Sequence, residues 1–257
     1  MGQYIFVVGT GRTGTYFLKQ FFEYYFPAVL ALHEPDRGIK FCTNLYLSHK
    51  IGRTRLRSFL AKYRTVIDKK LSLYSKKFLV QCDPWFFGFL EVVQDIFGDA
   101  HIIHIVRNPR TYIPSQLNMY YDNAVSGFLR DVIPYWKLRG DKTGDYSRKD
   151  WMALSREEKT AWYWHVCNSF IEAKQSELSH YLRIRYEDLF EPSLTEVKKI
   201  LEFAHIPYND SQIDVRHLQA KTNTQKKKFP AFTQWSAEKQ NEVEEICKKL
   251  VMRYNYV

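Results

Sequence analysis

Long apolar runs are missing from this sequence. None approaches the ~20 residues that a membrane-spanning helix needs, so no transmembrane segment is expected. Cysteine is scarce and scattered. Cys42, Cys82, Cys167 and Cys247 include no C-x-x-C pair, which excludes a zinc-ligand spacing and a dense disulfide framework and predicts reduced, mostly buried thiols. No basic region or cleavage site precedes the first strand pattern, so no signal peptide is expected and the cytoplasm is the expected location. Acidic residues fall short of basic ones, 28 against 38, for a net charge of +10. The excess favours an anionic partner: nucleic acid, membrane surface, nucleotide or polyanionic substrate.

Aromatic residues are abundant, 16% of the 257, enough to fill a core and leave some for a cleft. The length suits one domain over 1–257. Tyr4 to Val8 reads as a buried parallel-type strand, with a helix from Gly14 to about Tyr25. Further strands are expected at Val29–Leu32, Phe78–Gln81, His101–Val106 and Tyr181–Arg185. Helices are expected over Arg53–Ser75, Phe86–Phe97, from Pro109, from Ser155 to about Ser179, from about Pro192 and over Ser236–Arg253. Ser155 with Glu158 makes a capping box, and Pro109 sits at a favoured helix start. Residues from about 120 to 150 are the least regular and predict a lid or acceptor insertion. The alternation implies an α/β fold: a P-loop-like parallel sheet of about five strands flanked by helices on both faces. Ligands then bind beyond the carboxyl ends of the strands.

At the first strand end stands "GTGRTGTYF". Gly9, Gly11 and Gly14 fit a dinucleotide fingerprint, and Glu34 lies twenty residues past Gly14, where such a fold places its ribose-binding acid. Gly9 and Gly14 also fit a P-loop frame, and Asp83 ends a strand as a metal-binding aspartate does. But Thr15 and Tyr16 replace the lysine and the magnesium-binding hydroxyl, which phosphoryl transfer from a nucleotide triphosphate uses to offset several negative charges. A third reading accounts for the substitutions. A sulfuryl group carries less charge than a terminal phosphoryl, and fixed donors suffice to transfer it without a metal. Backbone N–H groups at the helix start cradle the anion, Arg12, Thr13 and Thr15 add donors, and an arginine near the bridging oxygen stabilises the leaving phosphate.

"GTGRTGTYFL", "VRNPRTYIPSQL" and "RYEDL" together resemble the sulfotransferase family that uses 3′-phosphoadenosine-5′-phosphosulfate (PAPS), in the version seen in its bacterial and Golgi carbohydrate members. The resemblance implies PAPS as donor, 3′,5′-ADP as product, no metal, and no nucleic-acid partner. It implies nucleotide contacts from the loop (Gly11, Arg12, Thr13, Gly14, Thr15, Tyr16). It implies a 3′-phosphate site from Arg107 and from Ser115 eight residues later, an adenine contact from Tyr186, and a further 3′-phosphate contact from Lys226, Lys227 or Lys228. A strand-end guanidinium and a hydroxyl in the first helical turns can grip one phosphate from two sides. Glu187 and Asp188 read as structural, capping the next helix or pairing with Arg185.

The acceptor hydroxyl needs a general base. Glu34 comes first, because the family uses glutamate in several branches; His33 and Asp83 are the alternatives. Tyr120, Tyr121, Trp136 and Trp151 are expected to line an acceptor cleft, while Trp162 and Trp164 are expected in the core. The acceptor class stays open among sugar (or larger glycan), phenol, peptide and lipid. A P-loop kinase, a dinucleotide-dependent oxidoreductase and a nucleotide- or polyanion-binding module without catalysis are the competing functions.

Overall fold

The computed structural model describes residues 2–121, 134–191, 193–209, 213 and 229–256. Among them five strands, β1 (Gln3–Gly9), β2 (Val29–His33), β3 (Phe78–Cys82), β4 (His101–Val106) and β5 (His180–Arg185), form one sheet in the order β2-β3-β1-β4-β5. Every pairing is parallel. All five expected strands are therefore present. The near-continuous apolar runs of β1 and β4 reflect burial on both faces.

The pleat divides β1 between two cores. Tyr4, Phe6 and Val8 face one way, Ile5 and Val7 the other. On the first face Phe6 stacks on Phe86 at 4.1 Å. That layer also holds Leu56, Leu60, Tyr63, Ile67 and Leu71 of α3 (Arg53–Leu73). Helix α3 buries one stripe and leaves its basic face to solvent. The second face takes Phe17, Leu18, Phe21 and Phe22 of α1 (Thr15–Tyr25).

Helix α2 (Arg37–Leu47) was not expected. Asp36 caps it by accepting the Gly38 N–H at 2.7 Å. The expected helix over Phe86–Phe97 is two elements, a 3₁₀ helix (Pro84–Glu91) and a short α4 (Val93–Phe97), parted at Val92 with φ −133°. This segment packs closely on α2, where a Cβ on Gly88 would meet Thr43 at 2.7 Å. Helix α5 (Pro109–Tyr121) follows β4.

Residues 122–133 of the expected insertion lie outside the described residues. The remainder holds two short helices, α6 (Gly140–Thr143) and α7 (Arg148–Ala153). The capping box of Ser155 and Glu158 opens α8 (Arg156–Lys174), which ends five residues earlier than expected and passes into a 3₁₀ turn. Helix α9 (Thr195–Phe203) begins three residues past Pro192, itself outside the described residues. Helix α10 (Ala237–Arg253) closes the fold over Trp164 and α5. All four cysteines are free thiols, and three are buried. No helix among the described residues is long and apolar enough to cross a membrane.

Candidate functional site

Strand β1 sends the chain through α1 to β2 on one side, while β4 leads to β5 on the other. The crevice between β1 and β4 is thus the switch point at which open parallel sheets bind ligands. The β1–α1 loop lies on one side of it and the β4–α5 turn on the other. Gly11, Arg12 and Gly14 all have left-handed backbones, with φ 80°, 53° and 78°. Such a run turns successive N–H groups toward one side and forms an anion-binding concavity. A Cβ on Gly14 would meet Leu189, Phe190 and Tyr186 only in ordinary contact, at 3.4 to 3.6 Å, so its φ rather than crowding is what favours glycine there. Helix α1 starts at this loop with no side-chain cap and no acidic residue in its first turn, so its positive end is left for a ligand.

Arg12 and Arg107 meet across the crevice. Arg107 Nη1 donates to the Arg12 carbonyl at 2.6 Å, its Nε donates to Thr111 Oγ1 at 3.1 Å, and its guanidinium lies over the Tyr186 ring at 4.2 Å. Arg12 Nε donates to Ser115 Oγ at 3.2 Å. Trp164 Nε1 donates to the Arg107 carbonyl at 2.9 Å and fixes the turn from below. Three expected phosphate-binding residues, Arg12, Arg107 and Ser115, and the expected adenine contact Tyr186 therefore share one cluster. Burial lowers the pKa of both guanidinium groups, and the charge of Arg12 lowers that of Arg107 further. Arginine nevertheless remains protonated. No carboxylate among the described residues pairs with either one within 4.0 Å. The Glu187 charge partly offsets this for Arg107 without forming an ion pair, and two adjacent, partly buried cations with no direct carboxylate partner are costly unless an anion completes the site.

Thr13 Oγ1 is buried and has no hydrogen-bond partner among the described residues. This orphaned hydroxyl, the left-handed loop and the two arginines fit a phosphate or sulfuryl group. Thr15 Oγ1 lies 3.2 Å from His33 Nε2, and the Tyr16 and His33 rings meet edge-on with centroids 5.4 Å apart. Burial pushes the His33 imidazole below its ordinary pKa, against the opposing charge of Glu34.

Glu34 is exposed and has a left-handed backbone, φ 42°, as do seven other non-glycine residues among those described. Its carboxylate has no hydrogen bond or ion pair among the described residues. Asp83 differs. It is 1% exposed, and its Oδ1 caps the 3₁₀ helix by accepting the Trp85 N–H at 2.9 Å. Burial raises its pKa to about 7. The native state therefore binds more protons than the unfolded chain between about pH 4 and 7, and stability falls as pH rises through that window. Asp83→Asn retains the cap acceptor and removes the charge. We expect the variant to gain stability relative to the wild type as pH rises from 5 to 8, by about 3 kcal/mol; urea unfolding at both values checks this, and a constant difference would contradict it.

At the expected acceptor cleft, Lys40 Nζ lies over the Trp85 and Trp136 rings at 4.3 and 4.9 Å. Trp151 does not line this cleft. It is 5% exposed and packs on Trp162 at 4.9 Å, because α7 folds back on α8. Trp164 is buried as expected. The side chains of Tyr120 and Tyr121, and Lys226, Lys227 and Lys228, lie outside the described residues. Sequence reasoning missed Thr111 and Trp164 as supports of Arg107. The i, i+4 spacing of Thr111 from Arg107 was the available signal for one; nothing local indicated the other. It also missed Cys167, whose thiol donates to the Gly9 carbonyl at 3.2 Å under the loop. No group of three or more His, Cys, Asp or Glu among the described residues could hold a metal ion.

The sulfotransferase domain model matches residues 3–253. The chain is similar in fold to the sulfotransferase domain from the curacin biosynthetic pathway, with TM-score 0.59 and 12% identity over 100% of this chain and 99% of that one. It is also similar to the sulfotransferase domain of the Synechococcus PCC 7002 olefin synthase, with TM-score 0.55 and 13% identity over 98% and 94%. Mouse sulfotransferase SULT7A1 complexed with PAP gives TM-score 0.51 and 15% identity over 97% and 84%. No curated protein matches the sequence.

Proposed function

The chain belongs to the sulfotransferase domain family, and on that premise we propose that it moves a sulfuryl group from PAPS to an acceptor hydroxyl. The observation that carries this reading is the pair Arg12 and Arg107, two cations joined across the β1–β4 crevice without a carboxylate partner among the described residues. Arg107 and Ser115 hold the 3′-phosphate, and Tyr186, already under the Arg107 guanidinium, bounds the adenine side. The loop from Gly11 to Tyr16 holds the phosphosulfate, with Thr13 Oγ1 and Thr15 as hydroxyl donors. Lys226, Lys227 and Lys228 remain proposed as a further 3′-phosphate contact.

In the transfer, the bond from sulfur to the phosphate oxygen breaks as the bond from sulfur to the acceptor oxygen forms. Glu34 takes the acceptor proton, and Arg12 stabilises the negative charge that stays on the leaving phosphate. Glu34 is preferred because its carboxylate is exposed and unengaged, whereas Asp83 is committed to a cap and His33 to Thr15. No metal is needed in this scheme. One catalytic domain over 1–257, with acceptor contacts from the segment around 120–150, belongs to the same reading. So does a cytoplasmic setting, which suits four free thiols. Trp85 and Trp136 favour an acceptor with a ring to stack, such as a sugar or a phenol.

The test is transfer of radiolabelled sulfate from PAPS onto sugars, phenols, peptides and lipids, in the presence of EDTA. Labelled product with at least one class supports the reading. Tight 3′,5′-ADP binding with no transfer to any class leaves a nucleotide-binding module instead.

A further inference from the structure

Glu187 follows Tyr186 on the 3₁₀ turn after β5 (Tyr186–Phe190). Neither expected role falls to it, because Asp188 is the residue beside Arg185, at 3.7 Å. Both Glu187 oxygens are occupied elsewhere. Oε1 accepts the backbone N–H of Asn108 at 2.9 Å, and Oε2 accepts the hydroxyl of Tyr256 at 2.9 Å. Asn108 adjoins Arg107, so this carboxylate ties the β4–α5 turn to the end of β5 and to the segment beyond α10. Tyr256 is 3% exposed, and its ring lies under the Arg185 guanidinium at 4.7 Å. Burial and the Glu187 charge both keep Tyr256 a phenol, so its hydroxyl stays a donor.

The Glu187 charge is near enough to Arg107 to favour the charged guanidinium, yet the two groups form no ion pair within 4.0 Å. A carboxylate in this position has a strong alternative partner, since carboxylate–guanidinium pairs are among the stronger hydrogen-bonded contacts. What stands against that alternative is the engagement of both oxygens. We propose that Glu187 and Tyr256 are positioning residues for the nucleotide site. The Tyr256 hydroxyl holds the carboxylate on Asn108 and off Arg107, so that the guanidinium stays available to an anionic phosphate. This rests on the assignment of Arg107 above. Glu187 thereby places the turn that carries Arg107 without neutralising it.

The experiment is a two-by-two set, wild type, Tyr256→Phe, Glu187→Gln and the double variant, each titrated with 3′,5′-ADP by calorimetry. Tyr256→Phe frees one carboxylate oxygen, and we expect the Kd to rise about ten-fold. Glu187→Gln keeps an acceptor for Asn108 and removes the charge, so affinity should match or exceed the wild type. In the Glu187→Gln background the tyrosine change should then cost less than about two-fold, because no charge remains to compete. An equal loss from Tyr256→Phe in both backgrounds would mean that Tyr256 acts through packing alone, and would overturn the proposal. So would a ten-fold loss from Glu187→Gln alone, a measurement that does not depend on Tyr256→Phe folding. If Tyr256→Phe binds as the wild type does while Arg107→Ala loses binding, this inference fails and the nucleotide site stands. If the wild type does not bind 3′,5′-ADP, both fail.

Discussion

Arg12→Ala is expected to lower turnover by ~10²–10³-fold, the cost of removing one preorganised charge that meets a developing anion. The expectation follows from where the residue sits. Its backbone is left-handed at φ 53°, its carbonyl is held by Arg107 and its Nε by Ser115. The guanidinium is thus fixed before any ligand arrives, and little reorganisation is needed during reaction. Arg12→Lys should restore part of the rate, because it returns the charge without the planar fork. Binding of 3′,5′-ADP should weaken less than turnover falls, because charge builds on the leaving phosphate mainly in the transition state. Steady-state kinetics on the first acceptor found, together with a product titration, separates the two quantities. An equal loss in both would place Arg12 in ground-state binding alone.

Glu34→Gln is expected to lower turnover by ~10²–10⁴-fold, the range for losing a general base, and to leave 3′,5′-ADP binding unchanged. Glutamine has the shape of glutamate but cannot take the proton. Near-normal turnover in this variant would move the role to His33 or Asp83, and the pH dependence would tell them apart. Burial lowers the His33 pKa and raises that of Asp83 to about 7. With Asp83 as base, the rate would climb through neutral pH. With His33, the climb would lie below the ordinary histidine value.

The sheet was legible because local patterns and tertiary demands coincide there. Tyr4 to Val8 is apolar throughout, as a strand buried on both faces must be, and Ser155 with Glu158 announces α8 by reciprocal capping. The residues that meet at the β1–β4 crevice were legible as residue types near strand ends. Its geometry was not, since Arg12 reaches Ser115 across 103 residues of sequence and no local rule encodes that contact. Helix α2 was hidden because its one start signal is Asp36 ahead of Gly38 and its buried face includes the polar Thr43 and Asn44. Trp151 was misread because aromatic residues serve a cleft and a core equally well, and only the fold of α7 onto α8 decides between them. Glu187 was read locally, toward Arg185, while its partners lie 79 and 69 residues away.

The central claim is that the β1–β4 crevice is built for a 3′-phosphorylated nucleotide, and ligand-induced thermal shift tests it most directly. Wild-type protein is heated with 3′,5′-ADP, with ATP–Mg²⁺ and with NAD, beside Arg107→Ala under the same conditions. The account predicts strong stabilisation by 3′,5′-ADP, little by the other two, and loss of the shift in Arg107→Ala. Stabilisation by ATP–Mg²⁺ or NAD with none from 3′,5′-ADP would contradict it.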